Sequence, residues 1–294
     1  MGQPLRLDEE RCGLTRELNP KDFSMKIGKQ SQPYQAICTS NPETIIVRGH
    51  DLVDNLVGSI SFTEYTWLLV AGSLPDEKQR RMLDATLVAI AEHGLVPSVQ
   101  AARMTLAASP EAVQGAVAAG LLGCGSVILG ASESAGAFFR DVQQEKEASG
   151  STTEAAAEKL LRRYKEQKKP VPGYGHPLHK GHDPRAERLL AIARDLGLAG
   201  IHCEIAKTVE TLIPDIIGKP LVMNVSSAIP CVLLDAGYPL LALKGVPLLA
   251  RTAGLIGHLL EEQTRPIGFI MSHAAAGAIE YDGPAPEGFV ANEN

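Results

Sequence analysis

The sequence predicts an all-α protein whose helices form two lobes. From about residue 60 onward, apolar residues recur at the three- and four-residue spacing of an amphipathic helix, and many of these segments carry cap residues at their ends. Strand signals are nearly absent over the same stretch. Aromatic residues make up only 4% of the chain although 45% of it is hydrophobic, so Leu, Ala, Ile and Val must fill the core. A chain of 294 residues has room for two such lobes.

The composition is that of an ordinary folded protein, with 21% charged residues and a net charge of −6. No apolar run approaches the ~20 residues that span a bilayer, and the first residues lack the apolar stretch of a signal peptide. We therefore expect a cytoplasmic location and no membrane partner. The five cysteines are scattered and odd in number, which predicts reduced, mostly buried thiols rather than a disulfide framework.

The chain before position 60 differs from the rest. Residues 1–42 have weak periodicity and little apolar content, which indicates an arm or an extended lead-in. Residues 45–58 favour a short hairpin, or a strand followed by a turn. Ser61 and Glu64 then stand at the spacing of a capping box, and Gly72 marks the end of the helix that they begin.

The later helices follow from periodicity and from their caps. Ser109 and Pro110 are predicted to be the N-cap and the first residue of an Ala-rich helix, whose small residues would suit close packing between subunits. Other helices are predicted over residues 76–93, 125–147, 153–167, 184–196, 203–217, 225–236 and 246–262. Polar stretches near residues 143–153 and 237–239 are the best candidates for the boundaries between the two lobes. We therefore predict a large domain of residues 1–130 with 237–294, and a small domain of residues 131–236.

The segment from Val171 to Arg185 concentrates titratable side chains, glycines and a helix start. Gly173 and Gly175 allow the backbone to turn sharply and to come close to a ligand, and the flanking prolines stiffen the loop. His176 is therefore held on a rigid loop.

A helix start follows this loop, because Asp183 and Pro184 match an N-cap and a first helical position. From Arg162 to Arg188 the chain carries eight Lys and Arg residues against three Asp and Glu, a local charge of +5. Cations beside a helix N-terminus favour an anion. This indicates an acidic small molecule rather than nucleic acid. The basic run at residues 162–169, taken alone, is equally typical of a solvated helix end.

His176, His179 and His182 recur at three-residue spacing, a pattern that also occurs in metal sites. Pro177 and Gly181 interrupt any helix that would align the three rings. Neither a cysteine nor a carboxylate pair stands at ligand spacing nearby. We therefore expect no metal site.

The most specific motif is Val-Pro-Gly-Tyr-Gly-His at residues 171–176, followed after six residues by Asp-Pro-Arg at residues 183–185. Further motifs lie, in order, at residues 47–50, 61–75, 93–98, 224–225, 251–266 and 280–284. This order resembles the citrate synthase superfamily, and within it the short citryl-CoA lyase-like members related to the lyase module of ATP-citrate lyase. The resemblance extends from about Ile46 to Pro284.

The resemblance implies a citrate-synthase-like fold, all-α, with a large and a small domain and a cleft between them. It implies a coenzyme A thioester as substrate and no tightly bound cofactor. The partners that it implies are an acyl-CoA and a di- or tricarboxylate, together with a second copy of the chain in a homodimer or a larger homo-oligomer.

Site residues can be carried over by position. His176 is similar to the family histidine that hydrogen-bonds the keto or alcohol oxygen of the four-carbon acid. The loop similar to the one that cradles coenzyme A consists of Val171, Pro172, Gly173, Tyr174 and Gly175. The side chains similar to those that bind the organic acid are His93, Arg185, Arg251 and Arg265. Guanidinium groups bind carboxylates bidentately where water is excluded, and Arg265 is expected to act across the dimer interface.

Two positions depart from the pattern of full-length synthases. Residues 123–133 contain no histidine where the synthases have one that stabilises the thioester enolate, which favours a lyase over a synthase. Ser226 stands where the family has its aspartate base, so His176 and Ser226 are the candidate catalytic positions. An unactivated serine hydroxyl is a poor base at neutral pH. The candidates for a replacement base are Glu133, His179 and a carboxylate of the substrate.

Three further positions have structural interpretations. Ser226 and Ser227 also match a plain helix N-cap. Asp235 lies about two and a half turns further along the same helix and is expected to face a loop. Trp67 is expected to anchor its helix in the core.

The function stays open between a lyase and two alternatives. The first hypothesis is an acyl-CoA carbon–carbon lyase that cleaves citryl-CoA, or a related 3-hydroxy-3-carboxyacyl-CoA, to acetyl-CoA and oxaloacetate. The alternatives are a condensing enzyme of the citrate synthase type with an altered base, or a non-catalytic homologue that binds coenzyme A or a carboxylate. The retained histidines and arginines favour a tricarboxylate pocket, whereas Ser226 indicates an altered step within it.

Overall fold

The computed structural model describes residues 34–125, 130–175 and 181–289. Most of these residues are helical and the strands are short, which confirms the all-α prediction. The chain divides into two compact units, Met1–Arg81 and Met82–Asn294. The predicted large and small domains, with boundaries at residues 130 and 236, stay a prediction.

The first unit contains a three-stranded antiparallel sheet. Its strands, in sheet order, are β1 (Cys38–Ser40), β2 (Ile45–Val47) and β3 (His50–Asp51). Val47 pairs with His50 across a turn at Arg48 and Gly49, both of which have positive φ. The predicted hairpin is therefore confirmed as far as Asp51, and residues 1–33 of the predicted arm lie outside the described residues. After β3, Leu52–Leu56 form a π-helical turn whose first N–H groups are capped by the Asp51 side chain.

Helix α1 (Phe62–Ala71) also belongs to the first unit. The Ser61 hydroxyl accepts from the Glu64 N–H and the Glu64 carboxylate accepts from the Ser61 N–H, so the predicted capping box is present. Gly72 ends the helix in the left-handed conformation, as predicted. Trp67 is buried, as expected, and the neighbouring Leu68 packs into a small apolar core with residues of β2 and the π-helical turn.

Helices form the framework of the second unit, and the first of them begins within the first unit. Their bounds are α2 (Glu77–Ala91), α3 (Pro97–Ala108), α4 (Val113–Leu122), α5 (Gly130–Ser149), α6 (Thr153–Glu166), α7 (Pro184–Asp195), α8 (Ile201–Ile217), α9 (Val225–Asp235), α10 (Gly245–Thr264) and α11 (Gly268–Ala278). A 3-10 turn at Leu240–Ala242 precedes α10.

One prediction in this region is wrong, and two helices are missed. Helices α3 and α11 are not predicted from the sequence, and α4 begins at Val113 rather than at Pro110. Ser109 ends α3 instead of beginning α4, because its N–H donates to the Thr105 carbonyl. Pro110 follows this helix end, which is a common place for a residue that cannot continue a helix. Helix α3 has Val96 at its N-cap, which provides no side-chain hydrogen bond, so Pro97 at the first helical position is its start signal.

The core of α3, α4 and α10 depends on close helix contact. The side chains that fill it are Val99, Ala102, Leu106, Ala116, Leu255 and Leu259. A Cβ at Gly120 of α4 would lie 2.8 Å from the Leu255 side chain and 2.9 Å from the Ser98 carbonyl. The small residues predicted to suit packing between subunits therefore include one that serves packing within the chain.

Helix α9 is buried between α5, α7 and α8. At its C-terminal end the Asp235 carboxylate accepts from the N–H groups of Gly200, His202 and Cys203. It also contacts the His202 ring, 2.8 Å from Nδ1. Asp235 thus caps the start of α8, and the expectation that it faces a loop is wrong. Burial raises the pKa of Asp235, but these donors outweigh it and leave the pKa below its ordinary value.

Helix α10 is long and apolar. By length and composition alone the stretch Leu240–Thr264 could cross a membrane, contrary to the expectation from sequence, and 33% of its most apolar window is buried. Arg251 and Glu262 of this helix are buried, and charged groups are costly in lipid. A position in a protein core fits this pattern better than a position in lipid.

The buried Arg103 of α3 joins the end of α10 to the start of α11. Its Nε donates to Glu262 at 2.6 Å and its Nη1 donates to Glu261 at 2.9 Å. Its Nη2 donates to the carbonyl of Arg265 at 3.0 Å. Glu262 in turn accepts from two backbone N–H groups at the start of α11. Each nitrogen of this buried guanidinium therefore has a partner.

Candidate active site

The loop of residues 171–175 lies against the N-terminus of α9. The Gly175 N–H donates to the Val222 carbonyl at 2.7 Å, and the Asn224 N–H donates to the Gly173 carbonyl at 3.0 Å. The Asn224 side chain donates to the Gly175 carbonyl at 2.6 Å. The loop and the segment that leads into α9 therefore form one hydrogen-bonded unit.

Gly173 makes this contact possible. Its φ is +82°, and a Cβ at this position would lie 2.1 Å from the Ser227 Oγ and 2.9 Å from the Ser227 N. Gly175 has a φ of +81°. The predicted need for glycine at both positions is confirmed, although the close approach seen here is to α9.

Two side chains of the loop are buried. Val171 and Tyr174 are 5% and 7% exposed, and the Tyr174 hydroxyl donates to the Ala206 carbonyl of α8 at 2.7 Å. Burial raises the pKa of Tyr174 well above its ordinary value. Tyr174 therefore anchors the loop to the core. The predicted binding of coenzyme A by residues 171–175 stays a prediction.

Asn224 is the N-cap of α9. It has an extended backbone conformation, and its Oδ1 accepts from the Ser226 N–H at 2.9 Å. The interpretation of Ser226 and Ser227 as the cap is therefore wrong, because an equally good capping residue precedes them. Ser226 is half-buried in the first turn, whereas Ser227 is fully buried beneath Gly173.

Asp183 connects the start of α7 to the start of α9. It is the N-cap of α7, as predicted, and its Oδ1 accepts from the backbone N–H and the Nε of Arg185 at 3.1 and 3.0 Å. Its Oδ2 accepts from the Arg185 Nη2 at 2.9 Å and from the Val225 N–H at 3.0 Å. Burial raises the pKa of Asp183, but Arg185 and the two N–H groups outweigh it, so the pKa lies below its ordinary value.

Arg251 is the second buried arginine, and its state is the opposite of that of Arg103. The residue is 6% exposed, and its Nε and Nη1 have no hydrogen-bond partner among residues 34–125, 130–175 and 181–289. A buried guanidinium without hydrogen-bond partners destabilises the folded state unless a bound anion accepts its hydrogen bonds. A carboxylate of a bound organic acid has the charge and the fork geometry to do so.

Arg265 lines an open groove of about 550 Å³ on the outer side of α10. Glu92 and His258 also line this groove, and the His258 Nε2 lies 3.0 Å from the Glu92 carboxylate. His93 is exposed next to Glu92, whose side chain accepts from the His93 N–H at 2.8 Å. Of the predicted acid-binding residues, His93 is thus bonded to Glu92, whereas Arg265 lines the same groove as Glu92.

Arg251 and Arg265 are far apart within one chain. Both belong to α10, Arg251 in the helix and Arg265 at its C-cap. A separation of fourteen residues corresponds to about 20 Å along a helix. A molecule as small as citrate is much shorter than this separation.

Several predictions fall on residues that the structure does not describe. His176 and His179 lie within residues 176–180, outside the described residues. Their roles, like that of Ser226, stay predictions. Glu133, another candidate base, has a side chain that is 47% exposed and lies 3.7 Å from the Lys244 Nζ. Among the described residues, no group of three or more His, Cys, Asp or Glu side chains could hold a metal ion.

Two residues of this site are not assigned to it from the sequence. Asn224 is part of a recognised motif, but only the structure shows that it holds the loop as well as α9. Ser227 is not distinguished from Ser226 by sequence, because its role depends on the glycine packed above it.

Comparison with known proteins identifies relatives of this chain. The family model for the citrate synthase C-terminal domain matches residues 75–269. The structure of citryl-CoA lyase from Hydrogenobacter thermophilus is 36% identical, with a TM-score of 0.76, and the match covers 87% of this chain and 97% of that one. Among curated proteins, no sequence matches this chain at a significant level.

Two more distant structures show the same fold. ATP citrate lyase from Methanothrix soehngenii, in complex with citrate and coenzyme A, is 23% identical with a TM-score of 0.68, covering 90% of this chain and 44% of that one. Citrate synthase from Thermotoga maritima is 21% identical with a TM-score of 0.59, covering 79% of this chain and 60% of that one. These matches agree with the fold predicted from the sequence.

Gly173→Ala should disrupt the loop, because the added methyl group collides with Ser227 in a backbone conformation that alanine rarely adopts. We expect at least a tenfold loss of affinity for coenzyme A, measured by calorimetry, and a lower thermal midpoint. Gly115→Ala in α4 is the matched control, since its Cβ meets only the Ala112 Cβ at 3.5 Å. This control should bind coenzyme A like the wild type. Equal affinity in both variants would show that the loop does not contribute to the coenzyme A site.

Proposed function

Since the chain belongs to the citrate synthase family, we propose that it is an acyl-CoA carbon–carbon lyase. Its substrate is citryl-CoA, or a related 3-hydroxy-3-carboxyacyl-CoA, and its products are acetyl-CoA and oxaloacetate. The observation that carries this proposal is the 36% identity to a citryl-CoA lyase over 97% of that chain. The buried guanidinium of Arg251, with open donors among the described residues, supports it, because the substrate is rich in carboxylates.

In the proposed reaction, a base removes the proton of the tertiary hydroxyl group. The bond between the hydroxyl-bearing carbon and the thioester methylene then breaks. Its electron pair forms the enolate of acetyl-CoA, which takes up a proton, while the alkoxide becomes the keto group of oxaloacetate. His176 hydrogen-bonds this oxygen, and Arg185 and Arg251 bind the carboxylates. The loop of residues 171–175 holds the coenzyme A portion.

The family pattern does not identify the base in this chain, because Ser226 occupies the position of the family aspartate. Asp183 is a carboxylate that contacts the start of α9, since its Oδ2 accepts from the N–H of Val225, next to Ser226. Each of its oxygens already accepts two hydrogen bonds, and its pKa is lowered. A carboxylate in this state is a poor base. The candidates stay Glu133, His179 and a carboxylate of the substrate.

Ser226 favours a second candidate function. A protein with the pocket but without a competent base would bind coenzyme A and a carboxylic acid without breaking the carbon–carbon bond. The same substitution in a condensing enzyme would require an altered base for removing a proton from acetyl-CoA.

We also propose a homodimer in which Arg265 completes the site of the partner. The distance of about 20 Å along α10 separates Arg265 from Arg251 of the same chain. Helices α10 and α11 expose large apolar side chains, Ile256, Leu260, Phe269 and Ile270. Exposed apolar side chains of this size suit a subunit interface. A cytoplasmic location and the absence of a tightly bound cofactor complete the proposal.

The lyase activity can be measured directly. Purified protein mixed with citryl-CoA should release oxaloacetate, which a coupled NADH-linked reduction makes visible by loss of absorbance. His176→Ala should lower the rate by at least a hundredfold if this histidine stabilises charge on the reacting oxygen. Wild-type protein that binds coenzyme A and citrate but releases no oxaloacetate would support the binding homologue instead.

Replacing Arg251 with methionine (Arg251→Met) separates binding from stability. The affinity for citrate should fall by about tenfold to a hundredfold, because a hydrogen bond to a charged group contributes about 1.5–3 kcal/mol. The thermal midpoint should stay the same or rise, since the variant removes a buried cation with open donors.

Arg103→Met is the matched control for this comparison. Arg103 is equally buried but has its partners within the chain, so its replacement should lower the thermal midpoint. A loss of stability in Arg251→Met as large as that in Arg103→Met, with unchanged citrate affinity, would assign Arg251 a structural role.

The shared site predicts complementation between two inactive variants. Arg251→Met and Arg265→Ala should each lose most of the lyase activity when assayed alone at a subsaturating citryl-CoA concentration. After unfolding and refolding together, half of the dimers are mixed, and one of their two sites contains both arginines. We therefore expect about one quarter of the wild-type lyase rate. A mixture as inactive as its components would exclude a contribution of Arg265 across the interface.

A further inference from the structure

We propose that Asp183 is a positioning residue, which orients the guanidinium of Arg185 toward a substrate carboxylate. This inference rests on the proposed function, in which Arg185 binds the organic acid. Asp183 itself does not touch the substrate and acts through Arg185.

Among the residues that the structure describes, the geometry of the pair leaves one edge of the guanidinium for a ligand. A guanidinium has five N–H donors. Asp183 binds Arg185 through one N–H of Nε and one of Nη2, at 3.0 and 2.9 Å. The remaining edge, formed by Nη1 and Nη2, is a second fork of the kind that binds a carboxylate bidentately.

Burial fixes this orientation. The Asp183 side chain is fully buried, whereas the Arg185 side chain is 22% exposed. The pair therefore has a buried end and an accessible end. A free arginine side chain must lose rotamer freedom when it binds a ligand, and an arginine that is already fixed loses less.

Asp183 is itself held from two directions. Its Oδ1 caps α7 and its Oδ2 accepts from the Val225 N–H in the first turn of α9. The neighbouring Asn224 bonds the loop of residues 171–175. A single carboxylate therefore fixes the acid-binding arginine relative to the helix start that carries Ser226 and the predicted coenzyme A loop.

The experiment is a double-mutant cycle on citrate binding, measured by calorimetry on the full chain. Asparagine at position 183 keeps one accepting oxygen for the cap but puts an NH₂ group where the second oxygen accepts. Asp183→Asn should weaken citrate binding by about tenfold. Arg185→Ala should weaken it by at least as much. In the Arg185→Ala background, Asp183→Asn should change the affinity by less than twofold.

Two controls separate positioning from damage to the fold. Coenzyme A affinity should change by less than threefold in Asp183→Asn, since Asn224 and Val222 still hydrogen-bond the loop of residues 171–175. Asp76→Asn is the matched variant, because Asp76 caps the start of α2 by accepting from the Gln79 N–H at 2.8 Å. It should leave both affinities unchanged. Equal losses of citrate and coenzyme A affinity in Asp183→Asn would show a purely structural role.

The outcomes distinguish this inference from the lyase proposal. Citrate affinities that fall independently in the two single variants, so that their effects add in the double variant, would overturn the positioning role whatever the activity. A non-additive cycle in a protein that does not cleave citryl-CoA would support the positioning role and overturn the lyase proposal. Wild-type protein without measurable citrate binding would overturn the inference, while the cleavage assay would still decide the activity.

Discussion

The candidate site depends on the contact between the loop of residues 171–175 and the first turn of α9. The backbone at Gly173 lies so close to Ser227 that any side chain there would overlap the serine hydroxyl. Asn224 and Val222 bond the loop on the same side. A backbone held this closely against a helix start cannot shift independently of that helix. The predicted coenzyme A loop and the position of the missing aspartate are therefore parts of one unit.

Helix α9 connects the loop of residues 171–175 to the core of the second unit. It is packed against α5, α7 and α8, and carboxylates hold both of its ends. At the N-terminal end, Asp183 joins α9 to α7, and at the C-terminal end Asp235 caps α8. The side chains of both carboxylates are buried, and each is satisfied by N–H donors that outweigh the cost of burial. The site is thus built on fixed helix starts rather than on a loop alone.

The two buried arginines differ in role: Arg103 stabilises the fold, whereas Arg251 is proposed to bind a ligand. Arg103 is satisfied by Glu261, Glu262 and a backbone carbonyl, and it joins α3 to the end of α10. Arg251 has open donors in the described part of the chain, and therefore has the chemistry of a binding group. Arg251 and Arg265 of one chain are separated along α10, so in the proposed dimer the partner subunit would supply the second arginine of each site.

The sequence by itself determined the features that depend on a few neighbouring residues. The capping box at Ser61, the Asp183 cap and the glycines of the 171–175 loop were all predictable, because each is a local hydrogen bond or a local backbone requirement. The tertiary structure decided the rest. Helix α3 starts without a cap signal, Asp235 caps a helix more than thirty residues away, and Arg251 is left with open donors by the packing around it. Such contacts join residues distant in sequence, and only the packing of the helices brings their side chains together.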